Sequence, residues 1–192
     1  MRNKARDIIK NGGIVIFPTD TAFGIGCRMD DEKAVARLFK IRNRPETKAT
    51  PVLVSGIEMA KDYWSEIPDL VIEKLIKPYW PGALTIVLQC QTEKVPGLVR
   101  GGGNTLGLRM PNNQKLLDLI DEVGVPIVGT SANFAGDPTP YSYDDLNPEL
   151  KKIVDFVEKG ECKTKEASTV IDCSQIPWRI LRQGAVKISI KS

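Results

Sequence analysis

The sequence contains no histidine among its 192 residues. This absence excludes Ser-His-Asp catalysis, Cys-His catalysis and every histidine general base. Cysteine is scarce and scattered, with no C-x-x-C pair, at Cys27, Cys90, Cys162 and Cys173. Such a set predicts no zinc site, and unpaired thiols are typical of a reducing cytoplasm. We therefore expect a cytoplasmic protein with no metal ligands of its own, whose chemistry relies on positioning and electrostatics.

Strong net charge and long apolar runs are also missing. The formal net charge of +3 is too small for wholesale nucleic-acid binding, so a basic cleft would require local clustering of cations. The longest apolar stretches, at residues 12–16 and 84–88, are too short to cross a bilayer. Residues 1–10 are charged throughout and lack the apolar centre of a signal peptide. The length favours one domain over residues 1–192.

The apolar pattern alternates between helical and extended segments. It predicts a helix over residues 2–10, a buried strand over 14–17, and a helix capped by Asp30 or Asp31 that runs through Lys40. Further helices are predicted over residues 68–77 and 115–123, and further strands over residues 51–55, 85–88, 105–110, 126–130, 153–157, 168–172 and 179–182. Helices that alternate with strands in this way predict an α/β domain with a mixed sheet.

Five polar or glycine-rich segments come directly after apolar segments, where open α/β sheets usually bind ligands. They are residues 18–26, 40–48, 101–109, 129–133 and 167–172, the last followed by Arg182 on the next strand. Taken alone, each has an ordinary explanation as a turn, a strand or a solvated helix end. Arg42 and Arg44 could equally hold a triphosphate, because guanidinium groups bind phosphate oxygens in pairs. Arg109 lies in an apolar strand, so its charge must reach a sheet edge or a cleft.

The order of these motifs along the chain closely resembles that of the YrdC family. The matching segments are F-P-T-D-T-A-F-G-I-G at residues 17–26, R-N-R-P at 42–45, W-P-G-A-L-T at 80–85, T-L-G-L-R-M-P at 105–111, T-S-A-N at 130–133 and S-T-V-I-D at 168–172. The resemblance covers about residues 13–184 and implies a single YrdC-like domain over residues 1–192. The implied fold is a twisted open α/β sheet with mixed parallel and antiparallel strands, helices packed on it, and a basic concave cavity. Because the chain ends at Ser192, we expect the single-domain type of this family, without the extra carboxy-terminal domain of longer relatives.

Family members of known activity are threonylcarbamoyl-AMP synthases. The resemblance therefore implies a nucleotidyltransferase that forms threonylcarbamoyl-AMP and pyrophosphate from L-threonine, bicarbonate and ATP, with Mg²⁺ expected beside the ATP. The product supplies the N6-threonylcarbamoyladenosine (t6A) modification of tRNA. The implied partners are t6A transferase proteins, and weak binding of tRNA or double-stranded RNA is a further expectation.

The matched positions also imply which residues form the site. The residues expected to bind threonine are Thr21, Ser55, Arg109, Gly129 and Ser168, with Arg109 on the amino-acid carboxylate. The residues expected to bind ATP are Arg44, Thr50, Thr105, Ser131, Thr139 and Arg182. The catalytic set implied by the motifs is Arg42, Arg44, Ser131 and Asn133.

The sequence departs from the family pattern in three places. Arg42 occupies the lysine position of the family's K-x-R-P motif, and Ser55 stands where many relatives have histidine. Residues 46–50 form a longer segment than usual, which leaves Lys48 as an alternative to Thr50. A divergent paralogue therefore remains an alternative, either as an RNA-binding module or with another carbamoyl or nucleotidyl substrate. The low net charge and the few aromatics beside the basic residues count against RNA binding.

Overall fold

A computed structural model describes residues 4–188 of the chain. The helices are α1 (Lys4–Lys10), α2 (Glu32–Ile41), α3 (Ile57–Lys61), α4 (Asp69–Val71), α5 (Lys77–Tyr79), α6 (Gly97–Arg100), α7 (Gln114–Val123) and α8 (Pro148–Ile153), with a π-helical segment (Ile72–Ile76) between α4 and α5. The strands are β1 (Val15–Pro18), β2 (Phe23–Gly26), β3 (Val52–Leu53), β4 (Leu84–Gln89), β5 (Thr105–Arg109), β6 (Ile127–Val128), β7 (Thr130–Ser131), β8 (Phe156–Val157), β9 (Thr169–Asp172) and β10 (Arg179–Arg182). No helix within residues 4–188 combines the length and the apolar character needed to cross a membrane.

The strands form two sheets that both mix parallel and antiparallel pairs. The four-stranded sheet has the order β7-β2-β1-β8, and the six-stranded sheet has the order β10-β9-β4-β5-β3-β6. In the first, β1 is antiparallel to β2 and parallel to β8. In the second, β4 is antiparallel to β5 and parallel to β9, and β3 is parallel to β5. The predicted α/β class with mixed strand directions is confirmed, although the strands divide between two sheets instead of forming one.

The apolar residues around β1 show how both faces of the smaller sheet are covered. Ile14 and Ile16 belong to the main core, whereas Val15 and Phe17 belong to a second cluster that includes residues of α1 and α7. Because successive side chains of a strand point to opposite faces, this alternation requires apolar partners on both sides. A continuous apolar run is therefore expected here, and all four residues are fully buried.

The two sheets meet where β6 of the larger sheet is followed by β7 of the smaller one. Gly129 connects these strands, and Gly26 at the end of β2 lies directly against Val128. A Cβ atom at Gly26 would lie 1.7 Å from the carbonyl oxygen of Val128. Only glycine permits this approach of two backbones. The close contact brings one end of each sheet together and so determines where a cavity can form.

Most boundaries agree with the sequence pattern, and the exceptions have local causes. The carboxylate of Asp31 accepts hydrogen bonds from the N–H groups of Lys33 and Ala34, which confirms the predicted cap of α2. The strand predicted over residues 153–157 is wrong in its first half. Asn147 caps α8, Pro148 occupies its first turn, and the helix continues to Ile153.

Two further predictions require correction. Residues 18–26 were expected to form only a turn, but their second half forms β2. The helix predicted to end at Pro78 continues to Tyr79, directly after the π-helical segment that already interrupts the regular hydrogen-bond ladder. Arg2 and Asn3, at the start of the first predicted helix, lie outside the described residues.

Substitution of Gly26 by alanine should destabilise the protein by about 2–3 kcal/mol, because the new methyl group would overlap a main-chain carbonyl that cannot rotate away. Gly97→Ala is the matched control, since no atom lies within 4 Å of a Cβ placed there. Its free energy of unfolding should change by less than about 0.5 kcal/mol. Urea denaturation of both variants measures the difference, and equal stabilities would contradict the described contact between the sheets.

Candidate active site

Polar residues from several strands lie together at one end of the six-stranded sheet, where β5 and β10 terminate. Arg109 is the last residue of β5 and pairs with Leu53 of the parallel strand β3. Thr85 lies near the beginning of the antiparallel strand β4, and therefore at the same end. Ser168 directly precedes β9, which is parallel to β4, and Arg182 ends β10, which is antiparallel to β9. The turn between β1 and β2, together with β7, forms the opposite wall.

A cavity of about 180 Å³ lies between these walls. The residues that line it are Thr19, Thr21, Ala22, Phe23, Gly24, Arg44, Pro51, Leu53, Thr85, Arg109, Gly129, Thr130, Ser131, Thr139, Ala167, Ser168 and Arg182. Hydroxyl groups and three arginines dominate this lining, and among these described residues there is no carboxylate. A second hollow of about 560 Å³ shares Thr139 with the cavity and extends past Asn133 and Tyr141. The cavity is therefore positive and rich in hydrogen-bond donors.

Arg109 is buried and is held from three sides. Its Nε donates to the carbonyl of Gly82 at 2.9 Å, its Nη1 donates to Oγ1 of Thr21 at 2.7 Å, and its Nη2 donates to the carboxylate of Asp20. Burial lowers the pKa of Arg109, while Asp20 acts in the opposite direction. A guanidinium group has five N–H bonds, so Nη1 and Nη2 each keep a second N–H. These two donors match the two oxygens of a ligand carboxylate.

The loop that follows α5 places the carbonyl that orients Arg109. The indole N–H of Trp80 donates to the carbonyl of Leu84 at 2.8 Å. The N–H of Gly82 donates to the carbonyl of Met110, also at 2.8 Å. These two bonds fix both ends of the loop, so the carbonyl of Gly82 remains directed at Arg109. The W-P-G motif thus supports the site without lining it.

Arg42 is a buried cation, only 4% exposed, that lies behind β7. Its Nε donates to the carbonyl of Asn133, its Nη2 to Oδ1 of Asn133, and its Nη1 to Oγ1 of Thr130, each at 2.9 Å. The hydroxyl of Ser131 donates to the same Oδ1 at 2.7 Å. Burial and then the neighbouring Arg44 lower the pKa of Arg42 to about 10. Arg42 therefore holds the segment that contributes Thr130 and Ser131 to the cavity.

Arg44 and Arg182 reach the cavity from its two ends. Arg44 donates through Nε to the carbonyl of Lys48 at 3.2 Å and through Nη2 to the carbonyl of Ala49. Arg182 donates through Nε and Nη2 to the carbonyl and hydroxyl of Ser168, both at 2.9 Å. Burial lowers the pKa of both arginines. Within residues 4–188 neither Nη1 donates to a protein acceptor, so these N–H groups are available to a ligand.

The structure brings most of the predicted site residues to this cavity. Those that line it are Thr21, Arg44, Arg109, Gly129, Ser131, Thr139, Ser168 and Arg182. Arg42 and Asn133 lie behind the lining and connect to it through Ser131 and Thr130. Three of the residues in the wall of this cavity are arginines: Arg44, Arg109 and Arg182.

Besides Arg42 and Asn133, three further predicted residues do not line the cavity. Thr105 is the first residue of β5 and pairs with Gln89, so it lies at the opposite end of this strand from Arg109. The hydroxyl of Ser55 faces the sulfur of Met59 at 3.8 Å. Thr50 is buried, and its Oγ1 has no hydrogen-bond partner within the described part of the chain. Strand register explains the position of Thr105, because its motif does not reveal which end of the sheet it reaches.

The structure also adds residues that the predicted set omitted. Thr19, Thr85 and Thr130 line the cavity, and Asp20 pairs with Arg109 from behind it. Asp20 was part of the polar segment at residues 18–26, but no role was assigned to it. The available signal was Arg109 itself, because a buried arginine in an apolar strand requires an acceptor or a counter-charge.

The cavity does not fit a magnesium ion held by the protein. Mg²⁺ is bound in proteins through carboxylates, usually together with waters and substrate phosphates. The lining offers arginines and hydroxyl groups, and residues 4–188 contain no cluster of acidic, cysteine or histidine side chains placed to bind a metal. Any Mg²⁺ at this site must therefore arrive with the phosphates of a ligand.

The fold and the site define a class of α/β proteins in which two mixed sheets enclose an arginine-lined, carboxylate-free cavity. The chain belongs to the Sua5/YciO/YrdC family, whose model, described as telomere recombination, matches residues 7–184. The predicted family membership is confirmed. The matched region begins somewhat earlier than the 13–184 expected from the motifs.

The chain is similar in sequence and in structure to several named proteins. The chain is 36% identical over 185 residues to the threonylcarbamoyl-AMP synthase of Pyrococcus abyssi, covering 96% of this chain and 54% of that protein. The structure of P. abyssi Sua5 complexed with L-threonine is 34% identical, with a TM-score of 0.86 over 94% of this chain and 53% of the other. The structure of E. coli YciO is 25% identical, with a TM-score of 0.85 over 96% of this chain and 89% of the other. The chain thus spans about half the length of the P. abyssi protein.

Substitution of Arg42 by methionine should destabilise the ligand-free protein by roughly 2–3 kcal/mol, because buried acceptors on Thr130 and Asn133 would lose a charged donor. Arg182→Met removes a comparable group whose side chain is exposed, and it should cost less than about 1 kcal/mol. Thermal and urea denaturation of the two variants measure this difference. An Arg42→Met variant as stable as the wild type would show that Arg42 does not hold this segment.

Proposed function

We propose that this protein is an L-threonylcarbamoyladenylate synthase, which converts L-threonine, bicarbonate and ATP into threonylcarbamoyl-AMP, pyrophosphate and water. The observation that carries the proposal is the convergence of Arg44, Arg109 and Arg182 on one cavity that no carboxylate lines among the described residues. A guanidinium group with free N–H bonds can bind a carboxylate or a phosphate through two parallel hydrogen bonds. The names of the P. abyssi relatives, one of them complexed with L-threonine, support this choice of substrates.

The amino acid would occupy the end of the cavity near Arg109. The two free N–H groups of Arg109 would bind the carboxylate of threonine, and the hydroxyl of Thr21 is bonded to the same guanidinium. Ser168, which bonds to both Thr85 and Arg182, lies at the same end of the six-stranded sheet as Arg109. A volume of about 180 Å³ suits an amino acid better than a whole nucleotide.

The nucleotide would enter from the other end. Arg44 and Ser131 would contact the phosphates, and the second hollow beyond Thr139 offers room for the rest of the nucleotide. Arg42 would act from behind, because its charge has no carboxylate partner within residues 4–188 and lies beneath Ser131. Mg²⁺ would accompany ATP as part of the substrate. The predicted contacts of Thr50, Ser55 and Thr105 have no support from the geometry of this cavity.

The chemistry requires alignment and neutralisation of charge. The amine of threonine attacks bicarbonate, a C–N bond forms, and water leaves to give N-carboxythreonine. An oxygen of the new carbamate group then attacks the α-phosphorus of ATP, and the electron pair of the broken P–O bond departs with pyrophosphate. Fixed guanidinium groups in a water-poor site offset the charge that develops on the phosphate oxygens. No covalent intermediate on the protein is needed, which agrees with the absence of histidine.

The surroundings of the product follow from its chemistry. A mixed carbamic–phosphoric anhydride is exposed to hydrolysis, so it should pass quickly to a transferase that completes t6A on tRNA. We expect this to occur in the cytoplasm. The alternative of an RNA-binding module is not favoured, because the arginines turn inward around a small cavity instead of forming an open surface.

Incubation of the protein with ATP, bicarbonate and L-threonine should release pyrophosphate and form threonylcarbamoyl-AMP, detected by mass spectrometry. Omission of any one substrate should abolish the product, because the proposed reaction consumes all three. Replacing L-threonine by each other amino acid in turn defines the selectivity. Pyrophosphate release that does not depend on an amino acid would overturn the proposal.

Arg44→Ala should lower kcat/KM for ATP by about 10²–10³-fold while the protein remains folded, because one donor to the phosphates would be lost. Arg179→Ala is the control, since Arg179 is exposed at the other end of the strand that ends in Arg182. Its kcat/KM should stay within about twofold of the wild type. Unchanged turnover in Arg44→Ala would refute the role of Arg44.

A further inference from the structure

Asp20 is a buried carboxylate that contacts the cavity only through Arg109. Its side chain is 6% exposed and accepts a hydrogen bond from Nη2 of Arg109. Thr19 and Thr21, its neighbours on both sides, line the cavity, whereas Asp20 lines a separate hollow on the other side of the turn. The main-chain carbonyl of Asp20 accepts from the N–H of Thr164 at 2.8 Å, which helps to fix the turn. Asp20 therefore stands behind Arg109 when viewed from the cavity.

This ion pair distinguishes Arg109 from the other arginines around the cavity, because only its charge is opposed by a carboxylate of the described residues. Arg42, Arg44 and Arg182 form no salt bridge within the described residues, and their hydrogen bonds go to neutral acceptors. Arg109 differs because a carboxylate directly opposes its charge. Arg109 is also buried, and charges interact most strongly where water is excluded. Beyond the effect of burial, Arg182 lies close enough for its charge to lower the pKa of Arg109 further, and no carboxylate among the described residues pairs with Arg182.

Stability alone does not account for the pair. Taking two charges out of water costs about as much as their attraction returns, and apolar residues at such sites are often as stable. The pair does fix the geometry of Arg109, because Asp20, Thr21 and Gly82 each hold a different nitrogen. It also offsets the charge of Arg109, so that this side chain offers donors to a carboxylate without adding its full positive charge to the cavity. A ligand that carries a carboxylate and an ammonium together suits such a site better than a simple anion.

We propose that Asp20 is a positioning and specificity-determining residue, which holds Arg109 and cancels its charge so that this end of the cavity selects zwitterionic amino acids over carboxylates without an ammonium group. The proposal rests on the proposed function insofar as the ligand at Arg109 is an amino acid. It extends that function by naming the group that excludes hydroxy acids and similar metabolites of the same shape. The discrimination would act through Arg109 and not through contact of Asp20 with the ligand.

The test compares two ligands that differ only in the ammonium group. Isothermal titration calorimetry gives the Kd values of L-threonine and of 3-hydroxybutanoate, which is threonine without its amine. In the wild type, L-threonine should bind at least about tenfold more tightly than 3-hydroxybutanoate. In Asp20→Asn, which keeps the shape and removes the charge, this ratio should fall about tenfold or more, because Arg109 would then attract a net negative ligand.

Two further variants make the result specific. Asp118→Asn is the same substitution at an exposed position of α7, and it should leave the ratio unchanged. Asp20→Glu keeps the charge and should restore much of the wild-type ratio. A purely structural role for Asp20 would weaken both ligands equally and leave the ratio as it was, and that result would overturn the proposal.

The possible failures can be told apart. If the wild type binds no L-threonine, the proposed function itself fails, and this inference fails with it. If the wild type binds L-threonine but binds 3-hydroxybutanoate equally well, only the role of Asp20 is refuted. This second comparison needs no variant, so it can refute the proposal even if Asp20→Asn does not fold. In that case a partly lowered ratio in Asp20→Glu, which moves the carboxylate but keeps its charge, would support the role of Asp20, and an unchanged preference with weaker binding of both ligands would contradict it.

Discussion

The site depends on guanidinium groups that hydrogen bonds hold in fixed positions, and one of them, Arg42, is buried against neutral oxygens alone. Arg42 is almost inaccessible, yet its N–H groups are taken by Thr130 and Asn133 instead of a carboxylate. A buried cation without a counter-charge is unfavourable in the empty protein, and an anion that binds nearby relieves that cost. Because a ligand that binds only the folded state also stabilises it, stability and anion affinity are linked through the same side chains.

The sheet topology explains how residues far apart in the chain meet at one place. Arg109 and Arg182 are the last residues of β5 and β10. Because β5 is antiparallel to β4, β10 is antiparallel to β9, and β4 and β9 are parallel, both residues lie at the same end of the sheet. The facing wall belongs to the other sheet. Gly129 carries the chain from the larger sheet to the smaller, so the walls are connected directly behind the cavity. The cavity thus requires both sheets in their observed relation, and neither sheet alone would form it.

The motifs name Arg109 and Ser168, and both lie in the wall of the cavity, while their roles as ligand contacts remain predictions. The elements around them are harder to predict from the sequence. Periodicity failed at residues 153–157, because a short apolar run looks alike in a helix and in a strand. The pair of Asp20 and Arg109 joins residues 89 apart in the chain, and it forms because the turn between β1 and β2 of one sheet packs against the end of β5 in the other. Thr105 shows the same limit, since its motif does not reveal which end of the sheet it reaches.

The arginine at position 42 replaces the lysine of the family motif, yet it need not weaken the site. A planar guanidinium reaches the carbonyl and the side chain of Asn133 together with the hydroxyl of Thr130. A lysine ammonium is a compact point charge and could not span these three acceptors in the same fixed arrangement. Because Arg42 lies behind the lining, the replacement changes how firmly the segment from Thr130 to Asn133 is held, while the positive charge behind it stays. This departure is therefore consistent with the proposed adenylation chemistry, since that chemistry depends on rigid placement of charge and not on a particular cationic side chain at this position.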